Sequence, residues 1–128
     1  MIGYVTLGTK DIARGAKFYD AIAKELGFGR MMDEENFIAW GDMASPGAGI
    51  SITKPFDGNE ATVGNGVMVA LLAKDPDQVK RVYDIAIAEG GSDEGAPGDR
   101  GGGFYAGYFR DLDGNKLNAF CMTAPPAE

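Results

Sequence analysis

Histidine is absent from this sequence, and cysteine and tryptophan each occur once. Without an imidazole there is no Ser-His-Asp or Cys-His arrangement for nucleophilic catalysis. There is no nitrogen ligand of the kind that zinc, iron and nickel favour, and no side chain whose unperturbed pKa lies near neutrality. The lone Cys121 excludes an intrachain disulfide and any Cys-x-x-Cys metal or redox motif. It reads as a buried, inert thiol and fits a reducing, cytoplasmic setting. Long apolar runs are missing as well: none approaches the roughly 18 residues of a membrane span. The start Met1-Ile2-Gly3-Tyr4-Val5 shows neither the basic nor the long apolar region of a signal peptide. Basic charge is scarce, with 12 Lys and Arg against 19 Asp and Glu and a net charge of -7. Nucleic acid wants a basic face and an anionic membrane surface wants the same, so neither is expected as a partner. A cationic small ligand would be steered favourably.

What is present is ordinary globular material: 128 residues, 45% hydrophobic and 24% charged, enough for a packed core. Helical spacing appears twice. Ile12, Ala16, Tyr19, Ala23 and Leu26 fall at steps of three and four, which predicts a helix from about Asp11 to Leu26. Asp11 is its N-cap and Gly27 its stop. Val79, Val82, Tyr83, Ala86 and Ile87 predict a second helix over about Pro76 to Glu89. Asp75-Pro76-Asp77-Gln78 supplies an N-cap, a proline at the first helical position and a capping-box partner. Strands are expected at Ile2–Gly8, Phe37–Trp40, Gly49–Thr53, Val67–Leu72, Phe104–Phe109 and Lys116–Met122, with a short one near Arg30–Asp33. Asp111-Leu112-Asp113-Gly114-Asn115 is a turn between the last two. The run from Gly95 to Gly103 reads as a mobile, glycine-rich loop; it lacks the Gly-Lys-Ser/Thr of a phosphate-binding loop. Residues 124–128 are expected to be a frayed tail.

The chain also repeats itself. Shifted by 64 residues, Val5, Leu7, Lys10, Asp11, Tyr19, Asp20, Glu25 and Gly27 fall on Val69, Leu71, Lys74, Asp75, Tyr83, Asp84, Glu89 and Gly91. Each half reads strand, helix, then several strands. A half is too small for a comfortable core of its own. The expectation is one domain over 1–123 in which modules of about 1–60 and 65–123 pack as a pseudo-symmetric pair.

Val5-Thr6-Leu7-Gly8, Asp11-Ile12 with Arg14, Phe18-Tyr19-Asp20, Leu26-Gly27-Phe28, Gly95-Ala96-Pro97-Gly98 and Phe109-Arg110-Asp111-Leu112-Asp113-Gly114-Asn115, in this order, resemble the vicinal oxygen chelate superfamily. It contains glyoxalases, bleomycin-resistance proteins and dioxygenases. The resemblance spans about residues 2–122. It implies an α+β fold: two tandem βαβββ modules forming a curled mixed sheet, an open barrel, with helices outside. It also implies that the glycine-rich loop lies near the cavity mouth as a lid, and that two chains pair as a homodimer.

Metal-using members of that family hold one divalent ion at inward positions on the first and fourth strands of each module. The resemblance carries those positions to Tyr4, Ser51, Met68 and Asn118. None is a carboxylate or an imidazole, and neutral oxygens and a thioether bind first-row divalent ions poorly. The expectation is therefore no metal and no cofactor, with these four residues lining a cup for a small organic molecule. Trp40, Tyr105 and Tyr108 are further candidates for its walls. Strand alternation puts Phe104, Ala106 and Tyr108 on one face and Tyr105, Gly107 and Phe109 on the other, and only one set points inward. Arg100 and Arg110 could meet an anion, although Arg110 adjoins Asp111 as a surface pair. Two other readings stay open: an enzyme of the family (lyase, isomerase or dioxygenase) with an atypical site, and a non-catalytic dimeric interaction module.

Overall fold

The structure is a computed structural model and describes residues 1–44 and 47–123. The tail expected over 124–128 lies outside the described residues. The first module contains β1 (Tyr4–Gly8), α1 (Ile12–Leu26), β2 (Gly29–Glu34), β3 (Phe37–Gly41) and β4 (Gly49–Thr53). The second contains β5 (Val69–Leu72), α2 (Pro76–Ala88), β6 (Ser92–Asp99), β7 (Phe104–Arg110) and β8 (Lys116–Met122). Each module is βαβββ, and the sheets run β1-β4-β3-β2 and β5-β8-β7-β6. In each, the first strand pairs parallel to the last and the rest are antiparallel. The fold is α+β, built from two four-stranded mixed sheets that do not close into a barrel.

The helix ends follow their local chemistry. Asp11 accepts from the Arg14 N–H, and Asp75, at the repeat-equivalent position, accepts from the Gln78 N–H. Gln78 closes its box one residue further back than expected: its Oε1 accepts from the Lys74 N–H. Gly27 takes φ of 88°, and the Phe28 N–H reaches the Ala23 carbonyl, a Schellman end that needs the left-handed region. In mid-helix, a Cβ on Gly15 would come within 2.9 Å of Ile52 Cδ1, so the glycine lets α1 lie close on its sheet.

Sheet register sorts the side chains. Val5, Leu7, Ile38, Trp40, Ile50 and Ile52 share the face of the first sheet that packs on α1. Tyr4, Thr6, Phe37, Ala39 and Ser51 share the other, open face. In the second sheet Tyr105, Phe109, Leu117, Ala119 and Cys121 turn toward α2, while Phe104, Ala106, Tyr108, Asn118 and Phe120 take the open face. Phe18 and Ile22 extend the buried side of α1 beyond the expected stripe, and Ile87 stays exposed. Cys121 is buried and free, and burial pushes its thiol pKa up.

The modules meet through their helices and through one turn. The start of α2 lies at the end of α1, where Gln78 Nε2 donates to the Glu25 carbonyl and Arg81 pairs with Glu25 at 2.9 Å. At the other end the turn after β7 grips the first module. Asp111 accepts from the Tyr19 hydroxyl at 2.6 Å, Asp113 accepts from Thr9 Oγ1, Lys10 N and Arg14, and Asn115 donates to the Gly8 carbonyl.

Two expectations need correction. The run from Gly95 to Gly103 is a loop only in part: Gly95–Asp99 end the edge strand Ser92–Asp99, paired with β7 with register shifts between Asp93 and Gly95 and between Gly95 and Gly98, and only residues 100–103 form a turn. Its glycines and proline weaken strand propensity, but the partner strand supplies the hydrogen bonds. Arg110 does not pair with Asp111. It pairs with Glu94 across the sheet and donates to the Gly114 carbonyl, because Asp111 is turned inward to Tyr19.

Candidate functional site

β1 and β5 are edge strands, and among the described residues no strand of one sheet pairs with a strand of the other. Between these edges lies a cavity of about 540 Å³. α1 supplies Tyr19, Ile22, Ala23 and Leu26 to its wall, the first sheet supplies Val5, Trp40 and Ile50, and β5 supplies Val69 and Leu71. Met68, Ala70 and Leu72 also line it, so the cavity wraps round the free edge of β5 from the helix side to the open face. The side chains of the walls are apolar or aromatic. The strand edge offers polar groups: the Ala73 N–H points to β8, so by alternation the backbone groups of Ala70 and Leu72 point away from β8.

Trp40 is held within this wall. Its Nε1–H donates to Asp20 Oδ1 at 2.7 Å, and its ring lies 5.4 Å from that of Tyr19. Asp20 also accepts two bonds from Arg30, and Arg30 chiefly holds its carboxyl below the usual range, against partial desolvation, with Trp40 helping. A carboxylate depressed in the folded state stabilises above its unfolded pKa, and that stability is lost as pH falls through the folded value. The melting-temperature gap between wild type and Asp20→Asn is therefore expected to be constant at neutral pH and to shrink below about pH 4. Thermal melts across a pH series check this; a gap that widens on acidification would contradict it.

Of the residues expected to shape a pocket, Met68 and Trp40 line this cavity. Tyr4 lies on the open face of the first sheet, 57% exposed, with its ring edge-on to Phe37. Ser51 shares that face but is fully buried, bonded to Thr6 Oγ1 at 2.8 Å and donating to the Val5 carbonyl at 3.0 Å. Asn118 and Tyr108 stand directly opposite each other on the open face of the second sheet, and Tyr105 turns toward α2. Tyr19, Leu26, Val69 and Leu71 are legible in the sequence as residues of helix or strand faces; that they border a gap is encoded by no local pattern.

The divalent-ion site of metal-using relatives does not fit these residues. The Ser51 hydroxyl is already engaged, Tyr4 stands apart against Phe37, and Met68 offers only a thioether. Asn118 is a neutral amide, and its Oδ1 is buried with no partner. No negatively charged donor joins them, and among the described residues no group of three or more His, Cys, Asp or Glu is placed to hold a metal ion.

The architecture is that of a paired βαβββ-module protein with a cleft between its modules. A family model for the Glyoxalase/Bleomycin resistance protein/Dioxygenase superfamily matches residues 1–119, and the chain belongs to that superfamily. Among solved structures it is similar to a glyoxalase/bleomycin resistance protein from Albidiferax ferrireducens T118. Identity is 36% and the TM-score is 0.86, over 94% of this chain and 97% of that one. A glyoxalase-related enzyme from Fulvimarina pelagi shares the fold at 19% identity and a TM-score of 0.74, over 94% of this chain and 86% of that one. So does a glyoxalase/bleomycin resistance protein/dioxygenase family enzyme from Burkholderia phytofirmans PsJN, at 16% identity and a TM-score of 0.74, over 94% and 97%. No curated protein matches the chain. Among the described residues no helix is long and apolar enough to cross a membrane.

Proposed function

We propose that this protein binds a small organic molecule in the cleft between its two modules, without a resident divalent ion. The observation that carries the reading is the cavity of about 540 Å³ bordered by α1, the first sheet and the free edge of β5. Its size lies within the roughly 300–1,000 Å³ of small-molecule sites, and apolar and aromatic walls are their usual lining. The backbone groups of Ala70 and Leu72 supply the few polar anchors such a site needs to orient its occupant. The donor chemistry at Tyr4, Ser51, Met68 and Asn118 supports binding that does not pass through a metal ion.

The sole tryptophan lines the cavity, so the protein carries its own reporter. Titration with the neutral fluorophore N-phenyl-1-naphthylamine is expected to quench Trp40 with saturable, one-to-one binding. Leu71→Phe narrows the cleft without adding a second tryptophan, and is expected to weaken that binding several-fold or more while leaving the melting temperature close to wild type. Binding unchanged in Leu71→Phe would place the probe elsewhere and defeat the reading.

A further inference from the structure

We propose that the molecule taken up by the cleft is a short apolar peptide, bound in extended form as a strand inserted between β1 and β5 and hydrogen-bonded to the free edge of β5. This rests on the small-molecule reading above and adds the chemical class of the molecule.

Three observations meet here. The first is what the lining offers a ligand. Among the described lining residues no side chain carries a charge, and only Tyr19 and Trp40 carry an O–H or N–H. Both donate within the protein, Tyr19 to Asp111 and Trp40 to Asp20. Met68 adds only a thioether, a weak acceptor. An occupant that is oriented by hydrogen bonds must therefore find them on the backbone. Ala70 and Leu72 each present an N–H and a C=O to the gap, two strand steps or about 6.7 Å apart. Alternating donors and acceptors at that repeat are what an extended peptide carries along its own edge.

The second is the width of the gap. No Cα of β1 lies within 8 Å of a Cα of β5, yet Val5 of β1 and all of β5 line the same cavity. Paired strands stand about 4.8 Å apart, so two edges with one strand missing between them stand about 9.5 Å apart. The edges are too far apart to pair with each other and border one space between them. β1 also turns backbone groups outward. The Thr9 N–H donates to the Thr53 carbonyl and the Gly3 carbonyl accepts from Gly49, so by alternation Tyr4 and Thr6 face away from β4.

The third is that the edge of β5 is unguarded. Proteins blunt free edges with charged side chains, proline or a bulge. β5 reads Val-Ala-Leu-Leu, and its pairing with β8 runs without a register shift. Leu72 is 71% exposed. A strand laid along this edge turns every second side chain toward the helices, into the chamber walled by Tyr19, Ile22, Trp40 and Leu71, and the others toward the open face beside Leu72. The chamber asks for apolar residues at alternate positions, because it has no group to pair with a buried charge.

The test uses the full chain, with N-phenyl-1-naphthylamine as the reporter of the cleft. Acetyl-Ala-Val-Ala-Val-Ala-amide is expected to displace it in saturable, one-to-one competition. The same peptide methylated at every residue nitrogen keeps its apolar side chains and loses those N–H donors. It is expected to compete at least tenfold more weakly. Leu72→Pro and Leu72→Ala both remove the leucine side chain, but only proline removes the outward N–H, which the sheet does not use. Peptide affinity is expected to fall at least fivefold further in Leu72→Pro. While the probe binds, no displacement by the peptide, equal displacement by its methylated form, or an equal loss in the two variants overturns the inference and leaves the cleft reading standing. A dimer in sedimentation that the peptide splits would name a second copy of the chain as the occupant and overturn it as well. If the probe itself does not bind, the cleft reading fails and takes this inference with it.

Discussion

Asp111→Ala is expected to lower the stability of the fold by about 3–5 kcal/mol, because it strips the acceptor from a buried cluster of donors. The carboxylate accepts from the Tyr19 hydroxyl at 2.6 Å, and from Asn115 N, Asn115 Nδ2 and Asp113 N at 2.9 Å each. Tyr19 and Asn115 are buried, and water does not replace the lost partner there. Burial pushes the Tyr19 phenol well above its ordinary pKa, with Asp111 adding to the shift, so it stays a donor at every ordinary pH. Tyr19→Phe removes a single bond and is expected to cost about 1 kcal/mol. Urea unfolding measures both. A midpoint barely moved in Asp111→Ala would show that the backbone alone holds the turn and that its grip on the first module is incidental.

Phe18→Ala is the second large effect, again about 3–5 kcal/mol. The ring belongs to α1, yet it packs against the other module: it lies 6.4 Å from Phe109, and a Cβ on Gly91 would come within 3.1 Å of it. It also stands edge-on to Tyr19 at 5.0 Å, so the apolar and polar ties between the modules adjoin. Neither module has room for an adequate core of its own. Loss of the ring is therefore expected to bring both down in one transition. Trp40 fluorescence reports on the first module and far-UV circular dichroism on the whole chain, and the two curves should coincide at a lowered midpoint. If the fluorescence transition shifts while the dichroism retains a separate, unmoved step, the modules fold independently and the prediction fails.

The elements that the sequence announced are those whose signals are local. Asp11, Asp75 and Gly27 cap helices because a cap needs only its own turn. The strand Lys116–Met122 reads correctly because it alternates between buried core and open face. β6 does not announce itself: Ser92–Asp99 contains two glycines, a proline and three acids, and only the bonds offered by β7 make it a strand. The same holds for the candidate site. Trp40 and Met68 could be picked from their places on strands, but Ile22, Leu26 and Leu71 acquire their role from the separation of β1 and β5, which no window of sequence contains.

The missing histidine and the neutral residues at Tyr4, Ser51, Met68 and Asn118 were decided by sequence alone, since ligand chemistry belongs to the residue and not to its surroundings. The repeat marked two units of a strand, a helix and further strands for a similar reason: hydrophobic period and capping act over a few residues. How far apart the units stand is another matter. Packing of α1 on α2, Phe18 against Phe109 and the Asp111 turn against Tyr19 set the distance between the two sheets. That distance left two strand edges unpaired and a cavity between them, because long-range packing, unlike a cap or a period, is a property of the whole chain at once.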